Sequence, residues 1–262
     1  MQILKPKFWD KKYITFSSLI LLPLAIIYQI IFGIKKTISK GKKFPIPTIC
    51  IGNIYIGGTG KTPLSMKTYE ILKELGEKPV IIKKKYQNHK DEISLMKNYC
   101  EVIESKKRSD GIKEAIEKKF NSVVLDDGYQ DFEIKKDLNI VCFNHRTKIG
   151  NGQVIPSGPL RENLKSIKNC HYVFLNGEKD LTFENKLKKY NPTLEFLYYS
   201  YYSKNINEFK NRKLVAFAGI GNPINFFNFL KTNRLNVVKE ISYPDHYSYS
   251  DKELDNLEKI EK

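Results

Sequence analysis

The chain is poor in the residues that punctuate or staple a fold. Of 262 residues, 15 are glycine and 11 proline, which excludes a collagen-like or Gly/Pro-rich chain. Four are cysteine. Cys50, Cys100, Cys142 and Cys170 show no CxxC or other metal-ligand spacing, so neither a zinc site nor a disulfide framework is indicated. Cys50 and Cys142 lie in apolar runs, as buried thiols of a reducing compartment do. No internal repeat or low-complexity tract stands out. A mean hydropathy of −0.44 excludes a polytopic membrane protein and leaves room for a single anchor. The 41% hydrophobic content is too high for a wholly disordered chain, and the length allows one large or two small domains.

Acidic residues are also in short supply: 29 Asp+Glu face 45 Lys+Arg, a formal net charge of +16. Such a surplus fits nucleic acid, an anionic membrane or a polyanionic substrate, or merely a Lys-, Ile-, Asn- and Tyr-rich composition. The lysine runs, Lys42-Lys43 and Lys83-Lys84-Lys85, are short and scattered. Nucleic acid is therefore not an expected partner.

From residue 13 to residue 34 no residue is charged. As a helix this run reaches about 33 Å, enough to cross a hydrocarbon core. Lysines flank both ends: Lys5, Lys7, Lys11 and Lys12 before, then Lys35, Lys36, Lys40, Lys42 and Lys43 after. Their near-balance leaves the orientation open, and no small-residue cleavage site follows, which argues against a signal peptide. The expectation is membrane attachment, by a span or by a buried or interfacial hairpin helix bent at Pro23.

A turn at residues 44–47 leads into an expected strand, 48–51, and then into Gly57-Gly58-Thr59-Gly60-Lys61-Thr62-Pro63. A helix follows, with Leu64, Leu72 and Leu75 among its apolar positions and Gly76 as its stop. Strand, glycine-rich loop ending in Gly-Lys-Thr, and helix form a phosphate loop. The backbone amides of Gly57, Gly58, Thr59 and Gly60 can wrap phosphates, and the helix N-terminus adds partial positive charge. Lys61 can reach the β- and γ-phosphates of ATP, and the Thr62 hydroxyl can ligate Mg2+. The strict pattern has a further glycine where Tyr55 stands. Downstream, Ser109 or Asp110 is an expected cap for a helix carrying Ile112, Ala115, Ile116 and Phe120. An apolar strand then ends in Asp126-Asp127-Gly128, acids placed to hold magnesium beside the phosphates.

These residues resemble the tetraacyldisaccharide 4′-kinase family, the lipid A 4′-kinases of Gram-negative bacteria. The carriers are Ile51-Gly52-Asn53 with the phosphate loop, Asp126-Asp127-Gly128-Tyr129-Gln130, Gly150-Asn151-Gly152, Pro156-Ser157-Gly158-Pro159-Leu160-Arg161-Glu162, Gly219-Ile220-Gly221-Asn222-Pro223 and Asp245-His246. They follow the family's order over nearly the whole chain. The resemblance implies transfer of the ATP γ-phosphoryl group to the 4′-hydroxyl of a tetraacyldisaccharide 1-phosphate, giving lipid IVA. It implies Asp91 as catalytic base, His246 as its support, Arg161 and Lys61 in the active site, and Thr62, Asp126 and Asp127 on the metal. Tyr86, Glu92 and Gln130 become substrate-side or supporting groups. The implied partners are the lipid disaccharide and the anionic inner membrane, at its cytoplasmic face, with no obligate protein partner evident. The chain departs from the family where Lys83-Lys84-Lys85-Tyr86 replaces Ser-Arg-Gly-Tyr, in a shorter stretch before Asp91, and at Asp131, where His or Asn is usual. It also ends before the family's last strand.

Strands alternating with helices predict an α/β fold with a mostly parallel, P-loop NTPase-like sheet. Further strands are expected at 138–143 and 172–175, an aromatic ribbon leaving the first domain at 194–202, and a strand at 214–218 followed by a helix carrying Phe226, Phe227 and Leu230. The expected division is an anchor with basic flanks (1–43), a kinase domain (44–205) and a smaller, incomplete α/β domain (206–262). The Gly-x-Gly at 219–221 lacks the third glycine of a dinucleotide fingerprint. The rival reading is a nucleotide-binding switch or assembly protein that phosphorylates no lipid.

Overall fold

A computed structural model describes residues 5–85, 90–200, 203, 205–220, 223–244 and 247–259; the side chains of Lys90, Asp91, Glu258 and Lys259 are not among those described. The chain divides into two compact units, Ile3–Ser200 and, chiefly, Tyr201–Lys262.

The first unit is built on seven parallel strands: β1 (Thr48–Gly52), β2 (Pro79–Lys84), β3 (Val102–Ser105), β4 (Ser122–Asp126), β5 (Leu138–Asn144), β6 (Tyr172–Asn176) and β7 (Glu195–Tyr199). Their order is β3-β2-β4-β1-β5-β6-β7. Both faces are covered, so β4 is buried along its whole length and reads as a continuous apolar run rather than an alternating one. Successive residues nonetheless divide between two cores. Ile82, Leu125 and Phe143 enter one, while Ile81, Val124 and Cys142 enter the other, as the strand period of two requires. The helices α2 (Lys61–Glu74), α3 (Lys90–Lys97), α4 (Arg108–Glu117) and α5 (Leu181–Lys188) connect the strands. Beyond β1 the chain runs to one side through β2, β3 and β4, then passes back to β5. The carboxyl ends of β1 and β4 therefore border a topological switch point, where such sheets bind ligands.

Two expectations are corrected. Residues 195–199 do not leave the first domain: they form β7, which pairs in parallel with β6, Tyr172 opposite Glu195 through Asn176 opposite Tyr199, because Phe196 and Tyr198 pack against the main core. Neither Ser109 nor Asp110 caps α4. The helix begins at Arg108 with Lys107 in the cap position, and no side-chain oxygen closes its first turn.

The apolar run forms one continuous helix, α1 (Phe16–Ile38), that includes Pro23. The Thr15 hydroxyl accepts from the Ser18 amide at its start. Ser18 is buried where the Ser157 hydroxyl donates to its carbonyl (2.7 Å) and the Asn151 amide donates to its hydroxyl (2.9 Å). Further along, the Tyr28 hydroxyl donates to the carbonyl of Arg161, and Phe32 meets Phe132 edge to face. Phe16, Leu19, Ile20, Leu24, Ile27 and Ile31 remain exposed. By length and composition α1 can cross a membrane.

The second unit contains β8 (Lys213–Ala218), α6 (Pro223–Thr232), β9 (Asn236–Ser242) and α7 (Asp251–Lys259). The two strands pair in parallel around α6, and Ala216, Ala218 and Phe227 form their small core.

Gly52 ends β1 under the turn after β4, where a β-carbon would stand 2.5 Å from that of Tyr129. Gly52→Ala should force the two segments apart and destabilise the first unit by about 1–3 kcal/mol, read as a lower denaturant midpoint with weakened nucleotide binding.

Candidate active site

The phosphate loop takes its shape from packing as much as from glycine. Gly57 and Gly60 occupy the left-handed region, φ +117° and +83°, which glycine enters at no steric cost. Gly60 is the cap residue of α2 and supplies no side chain there, so the first amides of the helix are open to an anion. Buried Asn53 braces the loop from within, donating to the Gly57 carbonyl and to the Thr59 hydroxyl (3.0 Å). From outside, the Ile56 amide donates to the Pro159 carbonyl and the Arg161 amide to the Ile54 carbonyl. Tyr55, standing where a glycine is usual, is 2% exposed. Its backbone forms an isolated antiparallel bridge with Leu160, and its hydroxyl meets Lys5 and Asp10. The missing glycine is thus replaced by a packed aromatic that holds the loop entrance.

Opposite the loop, β4 ends in two aspartates that face different cations. Asp126, 1% exposed, accepts from the Ser65 hydroxyl (2.9 Å) and from Lys83 Nζ (2.8 Å). Lys83 also bonds Glu92 (2.6 Å), which in turn accepts from the Thr62 hydroxyl. Asp127 has φ +53°, and this turns its carboxylate toward the phosphate loop. There it accepts from Arg161 Nη1 (2.8 Å) and lies 3.8 Å from Lys61 Nζ. Arg108 Nη2 donates to the main-chain carbonyls of both aspartates, 2.9 Å each, while its Nη1 lies 3.6 Å from Asp131. Gln130 links the Asn53 carbonyl (2.8 Å) to Glu162 (2.9 Å), and buried Glu162 pairs with Lys36 of α1 at 3.6 Å.

The electrostatics follow from this wiring. Burial pushes the Asp127 carboxyl up, but Lys61 and then Arg161 outweigh it and hold it below the ordinary aspartate value. Burial pulls the Lys83 ammonium down, yet Asp126 and Glu92 more than compensate, so it stays charged. Glu162 is raised by burial, only partly countered by Gln130 and Lys36. The arrangement presents an open helix N-terminus, a lysine and an arginine to a polyphosphate. Hydroxyl and carboxylate oxygens stand beside it, from Thr62, Asp126, Asp127 and Glu92. Among the described residues no group of three His, Cys, Asp or Glu side chains forms a metal cage. Hard oxygen donors in this number suit magnesium, which takes one or two carboxylates together with phosphate and water.

Of the expected site residues, Gly57, Gly58, Thr59, Gly60, Lys61, Thr62, Glu92, Asp126, Asp127, Gln130 and Arg161 come together at the carboxyl ends of β1, β2 and β4. Asp91 lies in the first turn of α3, with its side chain outside the described ones; Tyr86 and His246 lie outside the described residues. Sequence reasoning missed Lys83, Arg108 and Ser65. A lysine closing the apolar run Val80-Ile81-Ile82, one strand away from the strand ending in Asp126, was the available signal for the first.

Fold and site together define a P-loop nucleotide-binding protein with a lysine, an arginine and a strand-end aspartate gathered beside the loop, the residue types that phosphoryl transfer uses. Residues 17–262 match the family described as Tetraacyldisaccharide-1-P 4'-kinase. The tetraacyldisaccharide 4'-kinase of Pelagibacter ubique (strain HTCC1062) is 44% identical over 260 residues, covering 98% of this chain and 82% of the relative. That of Rhodopseudomonas palustris (strain BisA53) is 32% identical, covering 94% and 77%. The crystal structure of LpxK from Aquifex aeolicus in complex with ATP is similar with a TM-score of 0.68 at 26% identity, covering 89% of this chain and 84% of that one. The chain belongs to the tetraacyldisaccharide-1-P 4'-kinase family.

Lys83 neutralises two carboxylates in a buried setting. Lys83→Met should leave buried Asp126 without its cation and lower stability by about 3–5 kcal/mol, seen as a depressed thermal midpoint before any assay of turnover.

Proposed function

We propose that this chain transfers the γ-phosphoryl group of ATP to the 4′-hydroxyl of a tetraacyldisaccharide 1-phosphate, producing lipid IVA for lipid A synthesis at the cytoplasmic face of the bacterial inner membrane. The observation that carries the reading is the convergence of Lys61 and Arg161 on Asp127 at the open N-terminus of α2. Phosphoryl transfer asks the protein chiefly for positioning and charge stabilisation. The loop amides of residues 57–60 and the α2 N-terminus cradle the phosphates, and Lys61 reaches the β- and γ-oxygens. Arg161, fixed by Asp127 and by the Tyr28 hydroxyl on its carbonyl, stabilises negative charge spreading over the transferred group. Asp91, supported by His246, accepts the proton of the attacking 4′-hydroxyl as the new oxygen–phosphorus bond forms and the bond to the β-phosphate oxygen breaks. Thr62, Asp126 and Asp127 would hold Mg2+, which when bound neutralises charge on the phosphate oxygens. Glu92 orients Thr62, Gln130 ties the site to Glu162, and Tyr86 is the substrate-side residue that the family resemblance implies.

The exposed apolar face of α1 supports attachment to the membrane, with the flanking lysines meeting anionic lipid. The chain then divides functionally into an anchor (1–43), a kinase domain (44–205) and a smaller C-terminal unit (206–262).

Purified protein supplied with ATP, magnesium and the disaccharide should yield the 4′-phosphorylated product; its absence while nucleotide still binds would overturn the reading. Asp91→Ala should lower kcat by about 10²–10⁴-fold with nucleotide affinity retained, and near-normal kcat would remove Asp91 from the mechanism. Ile27→Lys should cost membrane insertion about 2.5–3.5 kcal/mol, measured as protein moving from the membrane pellet to the supernatant.

A further inference from the structure

Attachment to a membrane does not explain the inward face of α1. Ser18, Ala25, Tyr28, Phe32 and Lys36 recur at helical intervals and form one stripe, the side turned toward the protein. Ser18 and Ala25 are buried, and Phe32 stacks on Tyr28 while meeting Phe132 edge to face. Lys36 Nζ lies 4.8 Å from the centroid of the same Phe132 ring, a cation held over an aromatic face, and 3.6 Å from the Glu162 carboxylate. The stripe therefore ends in a charge that faces protein. For anchoring alone, a lysine near a helix end serves equally well facing water.

From Lys36 the bonding runs unbroken to the phosphate loop. Glu162, 4% exposed, takes Lys36 on one oxygen and the Gln130 amide on the other (2.9 Å). Gln130 Nε2 also donates to the Asn53 carbonyl, so both of its N–H groups are engaged and its Oε1 faces Arg161 Nη1 at 3.4 Å. The same Nη1 donates to Asp127, beside Lys61. Meanwhile the Tyr28 hydroxyl holds the Arg161 carbonyl at 3.0 Å. Donors and acceptors alternate along this chain, and the polarity of the Gln130 amide is what keeps them in step. A carboxylate at 162 can only accept, so it draws the amide nitrogen and leaves the amide oxygen for Arg161. A protonated Glu162 can donate instead, which favours the reversed amide and sets an N–H against the guanidinium.

We propose that Lys36 is a positioning residue for phosphoryl transfer: through Glu162 and the Gln130 amide it sets the guanidinium of Arg161 beside the phosphate loop. The assignment rests on the kinase reading and adds to it a residue of the helix otherwise assigned to attachment. The surroundings of Glu162 make Lys36 decisive. Burial raises the Glu162 pKa above the ordinary glutamate value, against the Gln130 hydrogen bond, Lys36 and Lys136. Tyr28 of α1 and Tyr129 also stand near it, and Lys165 and Lys168 border the adjoining cavity of about 270 Å³. Among the described residues Lys36 is the cation in ion-pair contact with Glu162. Without Lys36 the Glu162 pKa rises further, so the carboxylate is protonated at a higher pH.

The test uses the full chain in neutral detergent micelles with ATP, magnesium and tetraacyldisaccharide 1-phosphate. Lys36→Met should lower kcat by about 10–100-fold, the cost of a misplaced charge-stabilising group, with the acceptor KM within about twofold of the parent. The acid limb of its kcat profile should move to higher pH, a shift that a merely structural role does not produce. Lys36→Arg should restore most of kcat. In a Glu162→Gln background no buried carboxylate is left to need a cation, and adding Lys36→Met there should change kcat by less than about twofold. Three results overturn the assignment: an unaltered kcat with an unmoved acid limb, a rise in acceptor KM alone, or an equal loss in both backgrounds. A loss confined to phosphatidylglycerol vesicles and absent in micelles marks a contact with anionic lipid and overturns it as well. If the parent phosphorylates no lipid, the kinase reading falls, and Lys36 is then judged on nucleotide binding without acceptor. Lys36→Met should bind a non-hydrolysable ATP analogue about 3–10-fold more weakly while holding ADP as the parent does, through a weakened bond from Arg161 to the γ-phosphate. Unaltered affinity for both would remove the positioning role too. Turnover by the parent with a kcat that Lys36→Met leaves untouched keeps the kinase reading and removes only the positioning role.

Discussion

Two adjacent carboxylates at the end of one buried strand cannot both be ionised unless each has its own cation. That constraint organises the first unit. Asp126 turns back into the protein, where Lys83 and Ser65 hold it against α2 and, through Glu92, against α3. Asp127 turns forward because its backbone lies in the left-handed region, and there Lys61 and Arg161 share it. Arg108 fixes the intervening peptide by both carbonyls. One strand end thereby connects α2, α3, α4 and the 159–162 segment. Removing Lys83 would leave the buried Asp126 carboxylate without a cation, which is costlier than losing an ordinary surface pair.

The same network reaches α1. Arg161 donates its amide to the phosphate loop, its guanidinium to Asp127, and lends its carbonyl to Tyr28 of α1. The neighbouring Glu162 pairs with Lys36, also on α1. A helix whose remaining surface is apolar and exposed is therefore joined by polar bonds to the loop that frames the phosphates. α1 and the nucleotide site therefore form one packed structure within the first unit.

Much of this was legible in the sequence. The phosphate loop, the strand-end acids and the long apolar run are local patterns, and each was found where expected because each depends on neighbours within about twenty residues. The Pro/Gly-framed segment 156–162 stood out only by resemblance. Its role comes from contacts with α1 and the phosphate loop, both more than a hundred residues upstream. Lys83 was hidden in a run of three lysines that composition explains equally well. Lys85 is exposed and Lys84 lines a cleft beside Arg161, and only the pleat of β2 sends Lys83 inward. The start of α4 was misread because Ser109 and Asp110 have the right chemistry for a cap, but the chain turns helical one residue too early for either.

What the sequence by itself determined is the set of local elements and the chemistry they can support: a span-length apolar helix, a phosphate-binding turn and a magnesium-suited pair of acids. These follow from periodicity, glycine placement and residue type. Tertiary structure alone decided which cation answers which carboxylate, and which lysines face a cleft rather than bulk water. It also decided that α1 touches the 156–162 segment. Those outcomes depend on strand order, since β2, β4 and β1 become neighbours only when the parallel sheet forms and brings Lys83, Asp126 and Lys61 to one edge.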